Sequence, residues 1–249
     1  MNIKSIIGVM SCKGGVGKST ISVNLAVTLA YFFNKKVGLF DADLYGPNHP
    51  RLLGVCDTYE FDLNNKFLQP VSKYNLSSMS FGYFLNKNSS VLLRGPMISN
   101  TIKYLFDNTI WGDLDILIID FPPGTGDIYL SLLRDINFAY MILITMPNLT
   151  SIDDIRKSIF MLKKFNIDIK ILIENMKFFL CNNCYKVNHI YGNSEFGKNI
   201  ADEFFIKNFF ELPLLMDLSE ASNFGIPFVL SEFCSKKNLD LFLEIAKIF

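Results

Sequence analysis

The sequence predicts an α/β fold, a doubly wound and mostly parallel sheet with helices on both faces. Three observations predict it. Short β-branched and aliphatic runs recur along the chain, each closes in a polar or glycine-rich turn, and most are followed by a segment of helical periodicity. That alternation marks parallel strands joined by crossover helices, and the near-continuous apolar character of the runs suits strands covered on both faces. The 249 residues suit one large unit spanning 1–249 and are short for two full domains.

Taken in order, strands are expected at 5–10, 36–40, 116–119, 140–145, 170–173 and 208–211. Helices are expected at 18–33, 98–107, 151–165, 197–205 and 239–248. Between 56 and 90 the pattern is poorer, with scattered Asn and Ser, and reads as an excursion with short strands. The closing helix carries Asp240 and Glu244 and lacks a basic face, so it is expected to pack on the domain rather than on lipid.

The first strand opens into Cys12-Lys13-Gly14-Gly15-Val16-Gly17-Lys18-Ser19-Thr20, followed at once by the first helix. A glycine loop in that setting grips phosphate: the backbone curls so that successive N–H groups converge on oxygens, and the helix N-terminus adds its dipole. Lys18 is expected to neutralise the β- and γ-phosphates, Ser19 to ligate Mg²⁺, and Thr20 to bond the α-phosphate. The general pattern asks for glycine where this chain has Cys12, and what the loop matches instead is a variant with a second lysine, Lys13. Asp41 and Asp43 close the second strand and Asp120 a later one, so three acids reach the carboxyl edge of the sheet. Asp120 fits the role of holding Mg²⁺ through water, Asp41 assists the metal, and Asp43 orients the attacking water.

Composition narrows the rest. Acidic and basic residues balance at 24 each, which gives no field for nucleic acid. No apolar run approaches the roughly 20 residues of a membrane span. The opening run 3–10 is too short for a signal peptide, and five cysteines without an export signal fit a reducing cytoplasm. Among them Cys181 and Cys184 are spaced so that both thiolates can face one metal centre. By spacing alone the pair reads as half of a zinc site, with or without His189, as half of an iron–sulfur site, or as a redox dithiol. Cys12, Cys56 and Cys234 read as small apolar residues, with Cys12 open to oxidation beside the phosphates. Asn175 closes a buried strand, where its amide suits either an adenine edge or a turn. Arg94 and Trp111 read as packing residues.

The second lysine, the Asp41-Ala42-Asp43 pair and the run Asp120-Phe121-Pro122-Pro123-Gly124-Thr125-Gly126-Asp127 resemble the deviant Walker A ATPases, the class of MinD and ParA. Within it, Asp41 to Pro50, Arg94-Gly95-Pro96-Met97, Trp111 to Asp115, and Glu174-Asn175-Met176 leading to Cys181-Asn182-Asn183-Cys184 resemble the Mrp/NBP35 iron–sulfur cluster carriers over nearly the whole chain. The resemblance implies an ATPase that works as an ATP-sandwich homodimer, with Lys13 reaching the facing subunit's phosphates. It implies a 4Fe–4S cluster shared between Cys181 and Cys184 of two subunits, with 176–193 as the metal-binding segment. It also implies delivery to apo-proteins and supply by an assembly scaffold; the alternatives are a MinD/ParA-like spatial-organising ATPase on membrane or DNA, which the closing helix without a basic face disfavours together with any stable membrane association, and a zinc-stabilised ATPase without a cluster. Lys13, Lys18 and Asp43 take the catalytic roles, Cys12 to Thr20 with Asn175 hold ATP, and Ser19, Asp41 and Asp120 hold Mg²⁺. The small N-terminal domain of some bacterial members and the N-terminal cysteine cluster of eukaryotic relatives are not matched, so one cluster site per dimer is expected.

Overall fold

A computed structural model describes residues 2–55, 67–85, 95–124, 126–181, 183–184 and 186–249, without the side chains of 95, 96 and 127. Cys56, Arg94, Thr125, Asn182, Tyr185, the side chains of Pro96 and Asp127, and all of the 56–90 excursion but 67–85 lie outside the described residues.

The strands are β1 (Asn2–Met10), β2 (Val37–Asp41), β3 (Val71–Lys73), β4 (Leu76–Ser80), β5 (Asp113–Asp120), β6 (Tyr140–Thr145), β7 (Ile169–Glu174), β8 (Phe179–Leu180), β9 (Val187–Asn188) and β10 (Asn208–Glu211). The helices are α1 (Lys18–Phe32), α2 (His49–Leu52), α3 (Gly95–Asn108), α4 (Asp127–Asp135), α5 (Leu149–Lys164), α6 (Phe196–Glu203), α7 (Met216–Asn223) and α8 (Lys236–Ala246). Among the described residues one sheet has the order β10-β7-β6-β1-β5-β2-β4-β3, parallel throughout except for the β3–β4 pair, and β8 and β9 form a separate antiparallel hairpin. The expected α/β class with a doubly wound, mostly parallel sheet is therefore what the chain adopts.

Alternation along each strand covers both faces. In β5, Leu117 and Ile119 join a core with α3, α4, α5 and α6, whereas Ile116 and Ile118 join a second core with α1, α7 and α8. β6 divides in the same way, Met141 and Leu143 against Ile142 and Ile144. Gly8 in β1 is forced by this packing, since a Cβ there would lie 2.4 Å from the Met141 sulfur. The closing helix α8 buries Phe242, Ile245 and Ala246 in the second core, as expected of a packing helix. No helix among the described residues is long and apolar enough to cross a membrane.

Strand order positions the site. β1 lies between β6 and β5, and β2 lies on the other side of β5, so the loops leaving β1, β2 and β5 open side by side. Register completes the placement: Val9 of β1 and Asp41 of β2 both stand opposite Asp120.

Candidate functional site

The glycine loop turns through Gly15 (φ 79°) and Gly17 (φ 85°), in the left-handed region that disfavours a side chain. α1 starts at Lys18 without a side-chain cap, which leaves its first-turn N–H groups available to an anion. The loop is latched to the far side of the cleft. Asn175, just past β7, donates its amide to the Val16 carbonyl at 2.8 Å, and a Cβ on Gly17 would meet that amide nitrogen at 2.5 Å. Asn175 is thus more than a turn former.

A cleft of 550 Å³ runs from Lys13, Gly14, Lys18, Ser19 and Thr20, past Asp43 and Asn175, to an apolar wall of Leu212, Pro213, Leu214, Leu215 and Leu218. Phosphate donors at one end and apolar side chains at the other match the two ends of a nucleotide. The wall was not visible as a site in the sequence, because it forms only where the segment after β10 folds back beside β7.

At the floor of the phosphate end, Lys18 Nζ lies 2.7 Å from Asp120 Oδ1 in an ion pair sealed from solvent. The Ser22 hydroxyl sits 2.9 Å from the same oxygen, and His49 Nε2 lies 3.2 Å from Asp120 Oδ2. Asp41 Oδ2 accepts from the Ser80 hydroxyl at 2.9 Å and from the His49 N–H at 3.4 Å. Burial alone would raise the Asp120 carboxyl, but Lys18 and His49 hold it well below the usual carboxylate range. Asp41 shows the opposite balance: burial pushes its carboxyl up more than His49 and Lys18 pull it down. Burial would lower the His49 imidazole, and the two carboxylates outweigh that and raise it. His49 Nδ1 is buried with no partner. The ligating atoms of Asp41, His49 and Asp120 lie within 4.8 Å of one another, and among the described residues no other group of three metal-ligating side chains is so close.

Ser19 Oγ stands 3.4 Å from Lys18 Nζ beside these acids, so the hydroxyl and two carboxylates offer the oxygen donors that suit Mg²⁺. The structure therefore brings Lys18, Ser19, Asp41 and Asp120 together. Asp43 stands higher in the cleft, its Oδ1 accepting from the N–H groups of Tyr45 and Gly46 at 3.2 and 3.1 Å. Ser22, His49 and Ser80 escaped the sequence reading as site residues. Ser22 carried a faint signal, one helical turn after Lys18; the other two enter only through the fold.

The remaining loop residues face elsewhere. Lys13 Nζ reaches out toward Asp154 of α5 at 3.8 Å and is partly exposed. Cys12 Sγ turns away from the cleft to the Ser158 hydroxyl at 2.8 Å and the Asp154 carbonyl at 3.0 Å, and burial pushes its thiol up to about 11. That depletes the thiolate, the form through which a thiol reacts. Trp111 is buried as expected, edge-on to Phe40 with ring centroids 6.2 Å apart.

The β8–β9 hairpin carries the cysteine pair at its turn, away from the acid cluster. Cys184 is exposed and Cys181 half-buried. The backbone N–H groups of Cys184 and Asn183 face the Cys181 sulfur and lower its thiol from the ordinary value. His189 does not join the two sulfurs at ligating distance. The hairpin is fixed at its base by Lys177, whose buried Nζ bonds Glu174 Oε2 at 2.7 Å, the Ser194 carbonyl, and Glu211 at 3.5 Å.

A parallel sheet whose first loop wraps a helix N-terminus, with an acid of the neighbouring strand bonded to the loop lysine, defines a P-loop NTPase. The profile of the family described as NUBPL iron-transfer P-loop NTPase, within ParA, matches residues 2–248. The chain belongs to this family, the Mrp/NBP35-like iron–sulfur cluster carriers of the ParA/MinD superfamily. It is 42% identical over 230 residues to an iron–sulfur cluster carrier protein of Methanocaldococcus jannaschii, covering 92% of this chain and 79% of that one. It is 39% identical over 231 residues to a Helicobacter pylori protein of the same description, again over 92% of this chain but spanning 62% of the relative's length. Among solved structures, an ADP-bound nucleotide-binding protein of Archaeoglobus fulgidus, in which cobalt was found, superposes with a TM-score of 0.77 at 30% identity, covering 94% of this chain and 92% of that one.

Proposed function

We propose that this protein is an ATP-hydrolysing carrier that holds a 4Fe–4S cluster between two copies of itself and passes it to apo-proteins. The observation that carries the reading is the physical link between the two sites. Asn175 grips the phosphate loop through the Val16 carbonyl, and the same stretch of chain runs on to Cys181. A movement of the loop on nucleotide binding is thus transmitted to the base of the cysteine hairpin.

In the cleft, Lys18 exchanges Asp120 for the β- and γ-phosphates, and Thr20 and the loop N–H groups hold the remaining oxygens. When bound, Mg²⁺ neutralises the phosphate charge, with Ser19, Asp41 and Asp120 as its protein partners. Asp43 stands where it orients the attacking water, and Lys13 reaches the phosphates of the facing subunit. The base lies along Leu212 to Leu215 with Asn175 at its edge. At the hairpin, one subunit offers two thiolates where a cluster takes four, so a symmetric pair supplies the set. The lowered Cys181 thiol favours the ligating form. We take 1–249 as one P-loop unit with 176–193 as its metal-binding segment, acting in a reducing cytoplasm as a homodimer that receives its cargo from an assembly scaffold.

Anaerobic reconstitution of the wild type and of Cys181→Ala, followed by iron and sulfide analysis, tests this. The wild type is expected to hold about four irons per dimer and to activate an apo 4Fe–4S enzyme, and the variant to do neither while still hydrolysing ATP. A Cys181→Ala protein that bound and transferred a full cluster would sink the assignment, and so would wild type carrying zinc in place of iron.

A further inference from the structure

We propose that Arg51 is a nucleotide-binding residue, a guanidinium latch that exchanges its bond to Asn223 for one to the α-phosphate of the nucleotide. The proposal rests on the phosphate-site reading given above. Beyond Thr20 the cleft continues between two walls, with Asn48, Arg51 and Leu52 on the side of α2 and Ser219, Ser222 and Asn223 on the side of α7. Arg51 reaches from one wall to the other, its Nη2 donating to Asn223 Oδ1 at 3.1 Å. Of the described residues, three cations line this cleft. Lys18 is bonded to Asp120 and Lys13 leans on Asp154, whereas Arg51 has only the neutral amide and no carboxylate partner among the described residues. An anionic oxygen is a better acceptor than an amide, and a phosphate can take two N–H groups of the guanidinium fork at once.

Placement selects the α-phosphate. Leu52, next to Arg51, and Ile21, next to Thr20, belong to one core and both line the cleft, so α2 rests on the first turn of α1. Thr20 of that turn is the residue assigned above to the α-phosphate. The bridge to Asn223 is not what holds the two walls together. Gly54 and Gly225, at φ 61° and 68°, do that behind it, backbone against backbone. A Cβ on Gly54 would lie 2.4 Å from the Gly225 carbonyl oxygen, and one on Gly225 would lie 3.0 Å from the Arg51 carbonyl oxygen. Lys73 Nζ adds a bond to the Gly54 carbonyl at 2.8 Å. Arg51 is thus anchored through its backbone, and its exposed side chain is free to change partner without shifting either wall.

ADP is the probe, since it fills the phosphate end without the ATP-driven pairing proposed above. Wild type, Arg51→Ala, Arg51→Lys and Asn223→Ala are titrated with ADP and Mg²⁺ by calorimetry. Arg51→Ala is expected to bind ADP about tenfold or more weakly, the loss of a charged hydrogen bond. Arg51→Lys should recover part of that loss, because it keeps the charge without the fork. Asn223→Ala is expected to bind at least as tightly as wild type, because the nucleotide no longer has to displace the amide. Weaker binding by Asn223→Ala would make the bridge a brace between the walls and overturn the proposal, whether or not the Arg51 variants fold. A loss in Arg51→Ala that vanishes with an ADP analogue lacking both ribose hydroxyls would place the guanidinium on the sugar and overturn it too. Equal ADP affinity in wild type and Arg51→Ala overturns this inference alone, whereas wild type that binds no ADP overturns the phosphate-site reading with it.

Discussion

Cys12 and Cys181 show how far environment separates two copies of one side chain. Cys12 lies against α5, and burial pushes its thiol up to about 11, so at neutral pH it is a protonated packing group. Cys234 follows it, also pushed up to about 11 by burial. Cys181 sits at a turn whose N–H groups point at its sulfur, and its thiol moves down. Since the thiolate is the nucleophile, alkylation rates read these shifts directly. With cluster-free, reduced Cys184→Ser protein, which keeps the backbone N–H of residue 184, iodoacetamide is expected to label Cys181 well before Cys12 and Cys234. The Cys181 rate should reach half of its maximum at a lower pH than an ordinary free thiol does, while Cys12 stays slow until the pH nears its raised value. Peptide mass spectrometry across a pH series checks this, and early labelling of Cys12 would contradict the environment described for it.

The β7 to β10 region ties the base of the cysteine hairpin to the sheet. Lys177 N–H bonds the Leu212 carbonyl at 2.9 Å, Leu214 N–H bonds the Phe178 carbonyl at 2.7 Å, and the Lys177 ammonium ties Glu174 to the Ser194 carbonyl across the hairpin base. Glu174 also accepts from Gly197 N–H at 3.2 Å, where a Cβ would sit 2.8 Å from its carboxyl carbon. Removing one partner of a buried pair leaves the other charge uncompensated, at a cost of about 3–5 kcal/mol. Lys177→Met is accordingly expected to lower stability by that order and to speed amide exchange in 178–193 beyond the rest of the sheet. Reconstituted variant should also lose iron to a chelator faster than wild type. Exchange that quickened evenly over the molecule would mean Lys177 supports the fold without positioning the cysteines. None of this was legible in the sequence, since Lys177 reads as an ordinary polar residue until the fold brings Glu174, Ser194 and Glu211 around it. The long apolar strands and α1 were legible because their periodicity is local. α4 and α7 were not, being only nine and eight residues long. β3 and β4 are the short strands expected within the excursion, and β4 could not be bounded there because its Ser77, Ser78 and Ser80 replace the aliphatic residues such a strand usually shows. The phosphate loop was readable for the opposite reason, as its donors are consecutive in sequence, while His49 and the wall at Leu212 to Leu215 join it only through the fold.

For the molecule as a whole, the proposed function leaves two features of one subunit incomplete by themselves. The hairpin offers two thiolates to a cargo that takes four, and Lys13 projects from the cleft with only a loose partner in Asp154 at 3.8 Å. On that proposal a second copy facing the first completes both, because a twofold axis that sets hairpin against hairpin can also set cleft against cleft. Lys13 can be removed without confusing the result: it is more than a third exposed, and such a surface pair contributes at most about 1 kcal/mol. Wild type is expected to shift from monomer to dimer mass in light scattering when a non-hydrolysable ATP analogue is added. Lys13→Gln should keep the wild-type melting temperature without nucleotide and remain monomeric with it. The reconstituted variant should then fall to half-occupied, chelator-labile iron, because the second pair of thiolates no longer arrives under control of the nucleotide. Full ATP-dependent dimerisation by Lys13→Gln would remove Lys13 from the dimer contact and leave the cysteine pair as the remaining argument for two copies.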